Sequence, residues 1–270
     1  MIDTIKAIMF DLDGTLLNSN GTVSPRTIEA IAKARDKGLL IGLCTGRDVQ
    51  SVKTLMKEWG IDEITDAVVG TGGAEIYDRT LNVDKANYPL DGAFIKEIMK
   101  HYEDMDINWA IPDQGILVAP KEDQFIKMLS IGDRVPYKVV DYDEFLKQPR
   151  MKAMIVCAPQ EMDKVIERSK SFHNDQYKCA SLKTASILFE YMDPRVSKTN
   201  GLQEIMQMHG WTLDNILSFG DEDNDYDMIV NTGVGVVMAN GSAKTKAAAD
   251  YITGDNDHDG IADFLEEHIL

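Results

Sequence analysis

The chain has 270 residues, enough to bury a full hydrophobic core and carry a second, smaller domain. Its 44% hydrophobic and 27% charged content is ordinary for a soluble globular protein. The formal net charge of -17 repels nucleic-acid phosphates and anionic membranes, so neither is an expected partner. A small anionic substrate would need local positive charge, a metal or backbone dipoles. The three cysteines, Cys44, Cys157 and Cys179, are widely spaced and odd in number, which suggests a reducing compartment and no disulfide framework. No apolar run approaches a membrane span, and the opening residues reach Asp11 without the basic region of a signal peptide. The expected location is cytoplasmic.

The first element is the apolar run Ile5–Phe10, a short buried strand that ends in Asp11-Leu12-Asp13-Gly14-Thr15. In continued extended geometry the two acids would share a face, where they need a cation or a shared proton. Gly14 lets the backbone turn sharply and bring its N–H groups close to an anion. Two uses are open here. One is a nucleophilic carboxylate with an acid/base partner, handling a phosphate and a divalent metal; the other is a polar strand-to-helix turn with a capping role alone.

Ser24-Pro25 then reads as an N-cap with proline at the first helical position, and Ile28, Ile31 and Ala32 give that helix an apolar face. Leu39–Cys44 is a continuous apolar run, typical of a strand buried on both sides, and it stops at Thr45-Gly46-Arg47. A second helix carries Val49, Val52, Leu55 and Met56 inward and ends near Gly60; Ala67–Val69 is a third strand. This alternation predicts right-handed crossovers and a mostly parallel sheet.

After about Asn82 the texture changes. Helical spacing over Asp91–Tyr102 is followed by short β-like pieces at Ile107–Ile111 and Gly115–Val118. Helices are expected near Glu122–Ser130, Asp141–Leu146 and after Pro159, with a strand at Lys152–Cys157. Tyr177–Leu182 and Ser186–Tyr191 read as a strand pair turning at Lys183-Thr184. The parallel pattern resumes from Ser197, with strands Asn215–Phe219 and Val234–Val237 around Gly220-Asp221-Glu222-Asp223-Asn224-Asp225. The expected class is therefore α/β: a Rossmann-like, mostly parallel core (1–82 and 189–270) with an inserted α+β domain (83–188).

Three polar motifs follow apolar strands directly, and in an open parallel sheet ligands bind beyond the carboxyl ends of the strands. Asp11, Asp13, Asp221 and Asp225 can therefore gather in one crevice, an arrangement strongly unfavourable without a cation. All-oxygen ligation points to Mg²⁺. The Thr45 hydroxyl and the Gly46 N–H can bind phosphate oxygens at a helix N-terminus, and Lys198 can supply a point charge. Arg47 is balanced between a substrate contact and a helix-surface charge.

This ordered set resembles the haloacid dehalogenase superfamily of phosphoryl-transfer enzymes. The matching residues are Asp-x-Asp-Gly-Thr at 11–15, Thr45, Lys198 and Gly-Asp-x-x-Asn-Asp at 220–225. The large insertion and the segment Arg195–Leu202 are similar to its Cof-type branch, while Thr71-Gly-Gly-Ala departs from that branch's Asn-Gly-Ala. The resemblance implies that Asp11 attacks phosphorus and forms an aspartyl-phosphate, and that Asp13 protonates the leaving alkoxide and then activates water. It implies Mg²⁺ held by Asp11, the Asp13 backbone carbonyl and Asp221, with Asp225 in support. Thr45, Gly46, Lys198 and Asn224 would hold the phosphoryl oxygens, and the insert would be a cap that closes over substrate.

Asp255-Asn-Asp257-His-Asp259-Gly260, with Glu266, fits the EF-hand calcium pattern literally. A strand rather than a helix is expected before it, position eight is Ala262, and no paired loop exists, so a polar loop near the site is the preferred reading. The expected activity is Mg²⁺-dependent hydrolysis of a small soluble phosphomonoester, sugar phosphates first, with no obligate protein partner. Its rivals are a sugar-phosphate phosphomutase and a non-catalytic sugar-phosphate sensor. A dehalogenase would need neither Asp13 nor a phosphate-holding lysine.

Overall fold

The computed structural model describes residues 4–270. Their contacts divide into two units, the residues through Lys85 with Ser197–Leu270, and Ala86–Val196. The first unit opens with β1 (Ala7–Phe10), α1 (Pro25–Asp36), β2 (Leu40–Cys44), α2 (Val49–Trp59), β3 (Ala67–Gly70), β4 (Glu75–Asp78) and β5 (Val83–Ala86). The second unit contains α3 (Gly92–His101), β6 (Asn108–Asp113), β7 (Ile116–Ala119), α4 (Gln124–Asp133), β8 (Tyr137–Val139) and α5 (Tyr142–Phe145). It continues through β9 (Lys152–Val156), α6 (Met162–Ser169), β10 (Ala180–Ala185) and β11 (Leu188–Met192). The chain then returns to the first unit with α7 (Lys198–Met208), β12 (Ile216–Gly220), α8 (Tyr226–Asn231) and β13 (Val234–Val237). It closes with α9 (Ala243–Ala248), β14 (Tyr251–Ile252) and α10 (Gly260–His268).

The first unit is an α/β sheet in the order β14-β13-β12-β1-β2-β3-β4-β5. Strands β1, β2, β3, β12 and β13 are buried at every residue, which is why they read as unbroken apolar runs rather than alternating ones. One face packs Ala30 and Ile31 of α1, Val52 and Leu55 of α2 and Phe264 of α10. The opposite face packs Leu202, Ile205 and Met206 of α7 with Met228 of α8. Local chemistry sets the helix ends. Ser24 caps α1 by accepting the Thr27 N–H at 3.1 Å, and Gly60, at φ 71°, closes α2 in the left-handed region.

Register decides where the motifs emerge. β1 runs parallel to both β12 and β2, with Phe10 opposite Phe219 on one side and Leu43 on the other. Asp11, Thr45 and Asp221 thus leave three neighbouring strands at the same sheet edge. β4 runs antiparallel to β3, the chain reversing through the tight Thr71–Gly73 turn.

The second unit is an α+β sheet in the order β10-β11-β9-β6-β7-β8. It is antiparallel except where β7 meets β8. α3 and α6 cover one face through Phe94, Ile95, Ile98 and Val165, and α4 covers part of the other through Ile126 and Leu129. The divide falls after Lys85 and Val196 rather than after 82 and 188. β5 extends the first sheet, and β11 stays paired with β9 as far as Met192. The reversal between β10 and β11 is at Ser186-Ile187, not at Lys183-Thr184. Those two residues belong to β10, whose register shifts between Lys183 and Ala185.

Candidate active site

Asp11 follows the last residue of β1 and is 5% exposed. Lys198, the first residue of α7, is equally buried, and its Nζ lies 2.5 Å from Asp11 Oδ1 and 2.5 Å from Asp225 Oδ1. Asp225 Oδ2 accepts the backbone N–H groups of Asp221 at 2.9 Å and Glu222 at 3.2 Å, so this side chain ties its own loop to the lysine. The Thr15 hydroxyl donates to Asp221 Oδ1 at 2.8 Å. One oxygen from each of Asp11, Asp221 and Asp225 lies within 4.8 Å of the others. Three of the four expected carboxylates therefore converge, with the expected lysine between two of them.

Two glycines make this approach possible. Gly14 adopts φ +84°, and a Cβ there would run into the Asp221 carboxylate. Gly73, at φ +115°, packs against the Ser197 backbone with no room for a side chain. Ser197 in turn caps α7 by accepting the Asn200 N–H at 3.1 Å, which fixes the helix turn that carries Lys198.

The charge balance of the cluster is unequal. Burial, then the neighbouring Asp225, raise the Asp11 carboxyl well above its usual range, and Lys198 only partly offsets them. Burial pushes Asp221 up to about 6 against the opposing Thr15 hydrogen bond. For Lys198 burial works toward neutrality, but the Asp11 and Asp225 charges outweigh it and raise the ammonium further. Three carboxylates thus face one ammonium, an arrangement that calls for more positive charge. The donor set is all oxygen. Cys44 lies close behind it, but burial drives its thiol up to about 12, so it remains a protonated neighbour rather than a ligand. These residues fit a hard divalent cation such as Mg²⁺.

Asp13 lies apart from this buried group. The chain leaves the extended conformation after Phe10 and turns, so the shared face expected for Asp11 and Asp13 does not form; Asp13 is exposed. Its carboxylate is held by Arg47, Nε to Oδ2 at 2.9 Å and Nη2 to Oδ1 at 2.8 Å. Arg47 is therefore not a helix-surface charge: it precedes α2, and its guanidinium is engaged with Asp13. The Thr45 hydroxyl accepts the Arg47 N–H at 3.2 Å, which links the strand-end threonine to the Asp13 clamp.

The helix N-terminus expected beside Thr45 and Gly46 begins farther along the chain. α2 starts only at Val49, and its first amides are already used: Val49 N–H by Glu75 Oε2 at 2.9 Å, Ser51 N–H by Asp48 Oδ1 at 3.0 Å. An anion at this strand end would meet the buried Thr45 hydroxyl and the exposed Gly46 backbone instead. Asn224 is exposed within the short turn Asp223–Asp225. Sequence reasoning missed the grip of Arg47 on Asp13 and the bond from Thr15 to Asp221. Thr15 lies inside the first motif, and only its partner was unforeseen.

The model of the haloacid dehalogenase-like hydrolases matches residues 8–265. The chain is similar to the 5-amino-6-(5-phospho-D-ribitylamino)uracil phosphatase YitU of Bacillus subtilis, 26% identical, over 97% of this chain and 96% of the relative. It is also similar to the pyridoxal phosphate phosphatase YbhA of Escherichia coli, 24% identical, over 99% of this chain and 100% of the relative. Among solved structures, that of a haloacid dehalogenase-like hydrolase from Bacteroides thetaiotaomicron superposes with a TM-score of 0.87 at 25% identity, covering 97% of this chain and 99% of that one.

Proposed function

Because the chain belongs to the haloacid dehalogenase-like hydrolase family and is an enzyme of its phosphatase type, we propose that it hydrolyses a small soluble phosphomonoester, a sugar phosphate first, with Mg²⁺ as cofactor. One observation carries this reading: the buried grouping of Asp11, Asp221 and Asp225 around Lys198, with Asp13 held on the adjoining turn. Asp11, the Asp13 backbone carbonyl and Asp221 would hold the Mg²⁺, with Asp225 in support. Bound there, it supplies charge neutralisation for the phosphoryl oxygens.

Asp11 serves as nucleophile: its carboxylate oxygen bonds to phosphorus as the bond to the ester oxygen breaks. Asp13, protonated on one oxygen while Arg47 keeps the other, gives that proton to the departing alkoxide, then takes one from the water that attacks the aspartyl-phosphate. That attack breaks the bond between phosphorus and Asp11, regenerates the carboxylate and releases orthophosphate. Lys198, the Thr45 hydroxyl, the Gly46 N–H and the Asn224 side chain would hold the phosphoryl oxygens through both steps. Both curated relatives are named for small phosphomonoesters, which supports the substrate class.

The role of the insert as a specificity-setting cap belongs to the same proposal, as does a cytoplasmic setting. Among the described residues no helix is long and apolar enough to cross a membrane. A phosphate-release screen over sugar phosphates, nucleotides, flavin mononucleotide and pyridoxal phosphate, with and without Mg²⁺, tests the reading, with Asp11→Asn as the control. Release that needs both Mg²⁺ and Asp11 is expected. Isomerised sugar phosphate without free phosphate would replace hydrolysis by mutase chemistry, and silence on every substrate would leave a sensor.

A further inference from the structure

The acidic loop that resembles a calcium-binding sequence has a different use in the fold. Each of its three aspartates has at least one carboxylate oxygen engaged by a protein donor. Asp255 Oδ1 accepts the Asp257 N–H at 3.0 Å and pairs with His258 Nδ1 at 2.6 Å. Asp257 accepts the Ser19 N–H at 2.7 Å and the Ser19 hydroxyl at 2.6 Å, and Asp259 accepts the Ser24 hydroxyl. All these partners outside the loop lie in the segment that leaves the Asp11–Gly14 motif.

The same side of that segment is held closer to the motif itself. Asn240 Nδ2 donates to the Gly14 carbonyl at 2.8 Å, and Asn256 Nδ2 donates to the Leu17 carbonyl at 2.8 Å. The Asn256 N–H donates to Asn240 Oδ1 at 3.2 Å, which joins the two amides into one unit. Gly254 and Gly260 pack backbone to backbone across the base of the loop. Within the turn, the Leu16 N–H reaches the Asp11 carbonyl at 3.2 Å and the Leu17 N–H reaches the Leu12 carbonyl at 2.8 Å. The carbonyls of Gly14 and Leu17 are the ones taken by the two asparagines. Fixing the Gly14 carbonyl fixes the peptide plane that leads into Thr15, and hence the hydroxyl bonded to Asp221.

We infer that Asn240 and Asn256 are positioning residues: a two-amide clasp, braced by Asp257 and Ser19, that holds the turn bearing Asp13, Gly14 and Thr15. Its catalytic consequence rests on the phosphatase reading; the clasp itself does not. Misplacing a reacting group by about 1 Å costs on the order of a hundredfold in rate, so a loosened turn should be visible in kcat. Because the Asn240 bond is exposed and the Asn256 bond only part-buried, partial loosening is expected rather than collapse.

The test compares the parent with Asn240→Asp, which removes the donor at constant size, and with Asn256→Ala. Amide hydrogen exchange is read first. Residues 13–19 should exchange about tenfold faster, with the β12 amides unchanged. An unaltered turn, or equal acceleration in β12, overturns the clasp. Turnover is read second, on glucose 6-phosphate and p-nitrophenyl phosphate. The expected result is a roughly tenfold fall in kcat on the sugar phosphate with little change in KM, and a smaller fall on the aryl ester, whose phenolate leaves without a proton. Parallel falls on both esters, or a change in KM alone, overturn the positioning role. If the parent releases phosphate from neither, the best alkyl ester of the screen above replaces the sugar phosphate; silence on all of them fails the phosphatase reading while the exchange result still decides the clasp.

Discussion

The Arg47 guanidinium grips both carboxylate oxygens of Asp13, at 2.9 and 2.8 Å, across two segments that leave neighbouring strands. A planar fork suits this job and a lysine ammonium does not, because two parallel bonds fix orientation as well as distance. If Asp13 serves the leaving group, Arg47→Lys should keep the charge and lose the aim. We expect kcat on an alkyl phosphate to fall about tenfold in Arg47→Lys and further in Arg47→Gln, with circular dichroism unchanged. Equal kcat in parent and Arg47→Lys would show that the fork is dispensable.

Among the described residues, Lys198 is the cation bonded to the buried carboxylates of the Asp11, Asp221 and Asp225 group. Removing one partner of a buried ion pair costs roughly 3–5 kcal/mol, because the remaining charge is left uncompensated. Lys198→Met leaves three carboxylates facing one another, so in EDTA its midpoint of urea unfolding should drop sharply. Mg²⁺ should recover part of that loss in the variant. Asp11→Asn, which removes a negative charge instead, should abolish phosphate release without a comparable drop. Equal stability of Lys198→Met and parent in EDTA would contradict the charge balance described above.

Much of this was legible in the sequence because its signals are local. A buried parallel strand reads as an apolar run, and Ser24-Pro25 announces a helix start whatever surrounds it. Asp11, Asp221, Asp225 and Lys198 converge as strand order requires. Contacts between surface turns were not legible. Nothing in Arg47 predicts that it meets Asp13, since that depends on the turn after Phe10. Nor does Asn240 mark itself as a partner of the Gly14 carbonyl, 226 positions away. The EF-hand pattern misleads for the same reason: spacing gives the acids, and only the fold gives their partners. β8 was missed because three residues at a sheet edge carry too little periodicity.

The raised carboxyls give the metal-free protein a predictable pH response. Asp221 has a folded value of about 6 against an ordinary 3.8, and Asp11 is raised as well. Between these values the folded state binds more protons than the unfolded one, so stability falls as pH rises. From pH 5 to pH 7 in EDTA the loss from Asp221 alone should be about 1 kcal/mol. Groups held low, such as Asp78, are ionised in both states across this interval and do not mask it. Thermal unfolding in EDTA should give a lower Tm at pH 7 than at pH 5, with a shallower slope in Asp221→Asn. Mg²⁺ should raise Tm more at pH 7 than at pH 5. A Tm that climbs with pH in EDTA would reverse the sign.

The second unit holds a buried pair of its own. Lys152 Nζ lies 3.0 and 3.2 Å from the two oxygens of Glu190, and the Thr184 hydroxyl donates to Glu190 Oε1 at 3.0 Å. Both charged side chains are more than nine-tenths buried, on adjacent strands β9 and β11. Such a pair offers little net stability over an apolar replacement, yet it is costly to break on one side only. Lys152→Met should therefore destabilise this unit by about 3–5 kcal/mol, while Lys152→Met with Glu190→Met should cost much less. The two units need not unfold together, so the probe must be local. Trp109, packed against Tyr102 in this unit, provides one once Trp59 and Trp211 are replaced by phenylalanine. Urea titrations of its fluorescence in the four members of the cycle give the coupling directly. If the double variant loses as much as the sum of the two single ones, the pair is not coupled and the burial argument fails for this unit.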